Sequence, residues 1–352
     1  MLTNFQTATE MLYANNDKVK NKAESVFPKL KEHLKSIKQN ESLFFNTGET
    51  VYVPDLHGDF VHLIITLYKH GVLGSDLNLK KDFKYIFLGD FYDRAPDADV
   101  IDVWLNHQIK NKIEIYRLIG NHEMAFFERN EKGYPIIFPS QDSIIDASND
   151  FRITENLLKN IAEGNILAAY VSNFQSPISL FPILYIHSYA INDDFTELGL
   201  NKNTDILNFA IALNERLKKH GQKAYEIFSH CKKENKYDWK AIIKPFKDDP
   251  LFDIQKIKNE MHTSFIWRRT GLPTLNVYPS ELDVEIPDNV YQIVGHTPVF
   301  SFRIPNNQSV TSPFVLSSKT GTGKIQFSDV GIGYYYKKDS FERPEVFIKT
   351  VL

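Results

Sequence analysis

An α/β fold with a parallel core is predicted by three observations. Short apolar runs of strand length recur at 49–53, 83–88 and 113–119. Helix-period segments follow the first two, at 59–71 and 98–109, so the chain alternates strand, loop and helix as parallel strands require. Each run also ends in a chemistry-bearing loop. These loops read Pro54-Asp55-Leu56-His57-Gly58-Asp59, Gly89-Asp90-Phe91-Tyr92-Asp93-Arg94 and Gly120-Asn121-His122-Glu123. Open α/β sheets place their ligands at the carboxyl ends of strands.

Residues 1–48 are predicted to be a helical extension, ahead of the α/β domain at 49–352. Val19, Ala23, Val26, Phe27, Leu30, Leu34 and Ile37 recur at helical spacing between Lys and Glu residues. Pro28 is expected to divide this stretch as the first-turn residue of a second helix. Such an extension usually packs on the core, a partner-binding arm being the other reading. Asp59 is placed as the cap of a helix with Phe60, Leu63, Ile64 and Leu67 inward, ended by Gly71. Asp97 is placed as the cap of the helix at 98–109.

A Pro- and Gly-bearing loop at 133–140 precedes an expected helix from Asn149 to Val171. Leu180 to Ile186 reads as a strand ending at His187. Residues 203–262 read as mostly helical, with Thr204 or Asp205 starting a helix that Gly221 ends, within a helical insertion at about 195–262. Ile266-Trp267-Arg268-Arg269 precedes a strand from Asn289 to Val294, which delivers Gly295-His296-Thr297-Pro298. Three β-like runs follow, at 324–329, 333–337 and 345–351.

Composition excludes several classes. Hydrophobic residues at 42% and charged residues at 24% suit a globular chain, and a net charge of −3 gives no basic footprint for nucleic acid. The single cysteine, Cys231, cannot form an intramolecular disulfide, fits a reducing compartment and reads as a buried thiol. No apolar run is long enough to span a bilayer, and the first residues lack the pattern of a secretory signal peptide. A cytoplasmic protein is the expectation.

Five β-like runs end in metal-ligand residues: Asp55 with His57, Asp90, Asn121, His187 and His296. Imidazole and carboxylate together suit manganese, iron or zinc, with manganese the first expectation. Six ligands are too many for one catalytic ion that must keep open positions. They suit two divalent ions about 3.5–4 Å apart, bridged by a carboxylate and a water. Asp90, on the middle strand, is the natural bridge. Asp55 and His57 would hold one ion, and Asn121, His187 and His296 the other. Singly, each piece has a plainer reading as a turn, a helix cap or a core histidine, and only their joint occurrence at strand ends favours a metal site.

In this order the motifs resemble the calcineurin-like metallophosphoesterases, and among them the phosphoprotein phosphatase branch. The resemblance runs as spaced motifs over residues 49–335. It implies a β-sandwich flanked by helices with a dimetal site at strand ends, and a phosphatase acting on a phosphorylated protein or peptide. It further implies His122 as general acid, oriented by Asp93, and Arg94 as a phosphate clamp. Trp267-Arg268-Arg269 is similar to the Trp-x-Arg of bacterial members and points to Arg269 as a second clamp. Pro54 and Ala95 stand where glycines are usual, Ser188-Tyr189 follows His187 where small residues are common, and Ser328-Asp329-Val330-Gly331 is similar to the bacterial form of its turn. The helical N-terminus and insertions resemble the translocated Legionella effector phosphatases of the Wip type, which would imply delivery into a host cell and a host-protein partner. The rival readings are a dinucleoside polyphosphate hydrolase, for which Tyr92 and Tyr189 are the available aromatics, and a scaffold or effector protein using the same fold.

Overall fold

The apolar runs of the first half form three parallel strands, β1 (Thr50–Val53), β2 (Lys84–Phe87) and β3 (Glu114–Leu118). The computed structural model describes residues 17–39, 41, 44–46, 49–92, 94–129, 151–172, 181–201, 204–253, 257–258, 261–262, 264–268, 285–299, 303–304, 308–309, 313–318 and 322–332. A short fourth strand, β4 (Ile166–Leu167), continues the sheet in the order β1-β2-β3-β4, all parallel. A second sheet combines β5 (Ala169–Ser172), β6 (Ile183–Ile186), β9 (Tyr291–Pro298), β12 (Phe314–Ser317) and β13 (Lys324–Asp329) in the order β12-β13-β9-β6-β5. In it β6, β9 and β13 are parallel, and β5 and β12 run antiparallel at the edges. Two small antiparallel ribbons are formed by β7 (Ile257–Lys258) with β8 (Met261–His262), and by β10 (Arg303–Ile304) with β11 (Gln308–Ser309).

Strand alternation explains how the sheets stack. Tyr52, Ile86, Leu88 and Leu118 from the first sheet meet Ile183, Tyr185, Tyr291 and Ile293 from the second in one buried cluster between them. The intervening residues Val51, Val53, Tyr85, Phe87, Leu184, Ile186 and Val294 point away from it into the larger core, which the helices share. Strands buried on both faces read as continuous apolar runs, as these do. The result is a β-sandwich flanked by helices, as expected.

The helices are α1 (Asp17–Ser36), α2 (Phe60–Lys69), α3 (Ala98–Lys110), α4 (Asn121–Phe126), α5 (Phe151–Glu163), α6 (Asn192–Glu197), α7 (Ile206–Glu234) and α8 (Trp239–Lys247). Asp59 caps α2 as expected, its carboxylate accepting from His62 N at 3.1 Å. Among the described residues no helix is long and apolar enough to cross a membrane. Cys231 is a buried free thiol on α7.

Several expectations are corrected. Pro28 does not divide α1. It lies exposed inside one helix whose Phe27, Leu30 and Leu34 are buried on the core side, so packing holds both halves in line and the lost hydrogen bond faces water. Asp97 precedes α3 without a side-chain capping bond, because its carboxylate turns to Lys22, 3.5 Å away. The helix expected to reach Val171 ends at Glu163. Gly164, at φ +80°, breaks it, and the apolar residues beyond pair into β4 and β5. Gly221 does not end its helix but lies buried within the 29-residue α7. A Cβ there would sit 2.9 Å from Ala162 N, so this glycine marks a close crossing with α5 rather than a C-terminus. The ladder of β7 and β8, two residues a side, lies in a segment read as helical and is too short for periodicity to reveal. The expected loop at 133–140 and the runs at 333–337 and 345–351 lie outside the described residues.

Candidate active site

The loops that carry the predicted ligands converge where the carboxyl ends of β1, β2 and β3 meet those of β6 and β9. The seam is tied by two bonds across the sandwich. His187 Nδ1 donates to the Leu88 carbonyl at 2.8 Å, and His296 N donates to both oxygens of Asp55 at 2.9 and 3.0 Å. A third bond, Gly295 N to the His187 carbonyl at 3.0 Å, continues the β6–β9 register one step and aligns the two histidines. Gly295 is required here, since a Cβ would come within 3.3 Å of Asp55 Cγ, with an Asp55 oxygen closer still.

Asp55, His57, Asp90, Asn121, His122, His187 and His296 are all buried. Two groups are compact enough to hold a metal ion, and Asp90 belongs to both. His57, Asp90 and His122 form one, and Asp90, His187 and His296 the other, each with ligand atoms within 4.8 Å of one another. Asp55 flanks the first group, its carboxylate 3.9 Å from His57 Nε2. Asn121 flanks the second, its Oδ1 2.9 Å from His187 Nε2. His122, expected as an acid beside the metals, lies in the first group with Nε2 3.6 Å from Asp90 Oδ2.

The donor set fits a cation on its own chemistry. His187 gives its Nδ1 proton to a carbonyl, so in the neutral ring Nε2 carries a lone pair. That lone pair faces Asn121 Oδ1 at 2.9 Å and Asp90 Oδ1 at 3.4 Å. Three acceptors this close repel one another unless a cation or a second ring proton lies among them. His296 is oriented in the same way, with Nε2 donating to the Trp267 carbonyl at 3.2 Å. The charge balance agrees. Burial first, and then the charges of Asp329 and Asp90, push the Asp55 carboxyl well above the usual carboxylate range, although the His296 N–H and the Arg94 guanidinium pull it down.

Backbone conformation at the site is unusual. His57, Asp90, Arg94 and His296 all have positive φ, at 47°, 51°, 48° and 60°. Such residues persist only where surroundings over-determine them. Glu123 does much of that work. Its buried carboxylate accepts from Asp90 N at 2.8 Å, Phe91 N at 2.7 Å and Gly120 N at 2.9 Å, fixing the central loop against α4. Burial and the charge of Asp90 push the Glu123 carboxyl up to about 8.

Arg94 is half-buried beside Asp55, near enough for its charge to act on that carboxyl. Asp93 and Arg269 lie outside the described residues. Arg268 is committed elsewhere, in a buried two-pronged pair with Asp194 at 2.7 and 2.9 Å. Trp267, beside the proposed clamp in sequence, is half-buried over the cluster. Its ring stacks on His122 at 6.5 Å and meets His296 edgewise at 6.0 Å. The sequence analysis assigned no part in the site to Glu123, Trp267 or Asp329, although each stands inside one of the motifs.

No family model and no curated protein matches the chain. Solved structures similar to it include three phosphatases. One is a cold-active protein-tyrosine phosphatase of a psychrophilic Shewanella, with 14% identity and TM-score 0.41 over 85% of this chain and 78% of that one. A serine/threonine phosphatase from Saccharomyces cerevisiae has 12% identity and TM-score 0.38 over 91% and 82%. The phosphatase domain of the Legionella effector WipB has 11% identity and TM-score 0.42 over 72% and 100%. Likeness this distant leaves the reading of the site to its own residues.

Proposed function

We propose that the chain is a dimetal-dependent phosphomonoester hydrolase of the phosphoprotein phosphatase type, acting on phosphorylated proteins or peptides. The observation that supports this most is the pair of buried histidine–aspartate groups sharing Asp90 at the strand ends. Residues 49–352 would form the catalytic domain, with 1–48 as its extension and about 195–262 as an insertion. Asp55 and His57 would hold one ion, Asp90 both, and Asn121, His187 and His296 the other. Two divalent cations, manganese first and iron or zinc next, would supply Lewis acidity and a water acidified toward neutral pH.

The chain's own groups do the rest. Arg94, with Arg269 as its proposed partner, grips the phosphoryl oxygens, because a planar guanidinium offers paired donors that an ammonium lacks. His122 carries the proton that the leaving oxygen takes, and Asp93 orients the ring. Trp267 covers the side from which the leaving group departs. A second reading, His122 as a metal ligand, draws support from its place in the group with His57 and Asp90. The hydrolysis of dinucleoside polyphosphates is less well supported. Tyr92 and Tyr189 are 4% and 2% exposed, so neither offers a face to a purine.

Turnover of phospho-Ser, phospho-Thr and phospho-Tyr peptides, beside diadenosine tetraphosphate, tests the proposal. Activity on the peptides should vanish on chelation and return with manganese. Metal analysis of active protein should give two ions per chain, and one or fewer would end the dimetal scheme. Asp90→Asn should lose more activity than His57→Asn, since it would disturb both ions.

A further inference from the structure

Lys22 is remote in sequence from every residue of the site, yet its ammonium meets the segment that follows Arg94. Nζ lies 3.5 Å from the Asp97 carboxylate and 3.2 Å from that of Asp99, and it donates to the Pro96 carbonyl. The same segment is gripped from the other side by the His57 loop. Ala95 N donates to the His57 carbonyl at 2.8 Å, and Asp97 N to the Gly58 carbonyl at 3.0 Å. Arg94, with its left-handed φ, is the residue immediately before this doubly held segment. The ammonium is itself well placed, because α1 is anchored through buried Phe27, Leu30 and Leu34. The Phe27 ring meets Phe60 of α2 edgewise at 5.4 Å.

We propose that Lys22 is a positioning residue for the Arg94 guanidinium, so that helix α1 belongs to the anion-binding apparatus of the site. The proposal rests on the phosphatase reading above. A lysine merely pairing on the surface would change stability a little and nothing else, since Lys22 is about a quarter exposed. A lysine that fixes the turn after Arg94 changes how tightly an anion is held. Loss of its three contacts frees the segment to relax from the strained conformation, and the guanidinium moves with it.

The electrostatics of the contact supply a second signature. Burial pushes the Asp97 carboxyl up to about 6. Lys22 pulls it down, while Asp99 on α3 and Asp59 before α2 push it up. Without Lys22 the folded-state value rises further from the ordinary carboxylate range. Below about pH 5 Asp97 is mostly protonated in both folded proteins, so its pair with Lys22 contributes little to any difference in melting temperature. The difference then widens as pH rises through about 6, above which the variant must carry the charged carboxylate without its partner.

The test uses the full chain loaded with manganese and an aryl phosphate as substrate. Lys22→Met should raise KM and the inhibition constant of inorganic phosphate by about fivefold or more, with a smaller change in kcat and unchanged metal content. Lys22→Arg should restore both constants to within about twofold, since it keeps charge and reach. Asp99→Asn, which leaves Lys22 in place but removes one of its anchors, should show a weaker form of the same defect. If the wild type turns over and Lys22→Met binds phosphate as the wild type does, the proposal is overturned and the phosphatase reading stands. If the loaded wild type hydrolyses no phosphomonoester, both fall together.

Discussion

His122 is held by contacts that bear on a proton. Its backbone N donates to Asp90 Oδ1 at 2.9 Å, its Nε2 lies 3.6 Å from Asp90 Oδ2, and its ring stacks on Trp267. In the proposed scheme the carboxylate would stabilise an imidazolium there and the indole would shield it. His122→Asn is therefore expected to keep its metal content and lose about 10²–10⁴-fold in turnover of alkyl phosphates. The loss on aryl phosphates should be much smaller, because their leaving groups need little protonation. Steady-state kinetics on one substrate of each kind, with metal analysis of the same sample, decides the matter. A variant that loses one ion and fails equally on both substrates makes His122 a ligand.

At the scale of elements, what was legible in the chain follows from what sets each element. Strands β1 and β2 are local apolar runs buried along most of their length, β3 is buried toward its carboxyl end, and all three could be read to within a residue or two. The convergence of Asp55, Asp90, Asn121, His187 and His296 was also legible, because each closes such a run. The errors fall where a distant neighbour overrides a local signal. Asp97 looks like a cap until Lys22 is placed beside it, and Gly221 looks like a helix end until α5 is laid across it. Trp267 stood in a pattern that pointed to Arg269, and nothing local told that its own ring would lie against His122 and His296. The glycine at the helix crossing is testable. Gly221→Val should destabilise the protein by about 1–3 kcal/mol through overpacking, despite valine's better helix propensity, and urea denaturation measures it. A more stable variant would show that α5 and α7 have room to part.

For the molecule as a whole, the location of the candidate ligands matters as much as their identity. Asp55 and Asp90 follow strands of the first sheet and Asn121 opens α4 after β3, whereas His187 follows β6 and His296 lies in β9 of the second sheet. An ion shared between these sets is a rivet through two plates. Whatever free energy it gains on binding is withheld from any motion that slides one sheet over the other, by RT ln(1 + [L]/Kd), or about 2.7 kcal/mol at a hundredfold excess over Kd. Amide hydrogen exchange should register this directly. On adding manganese to chelated protein, the amides of Leu88, Gly295 and His296, which lie along the seam, should slow by about tenfold or more. Those of the edge strand β12 should change far less. Uniform slowing everywhere would mean that the sheets open only with global unfolding. Seen this way, starving the cell of metal would do more than silence such a protein. It would loosen the joint on which the fold closes and present the chain to proteases, so that metal supply would set its lifetime as well as its rate.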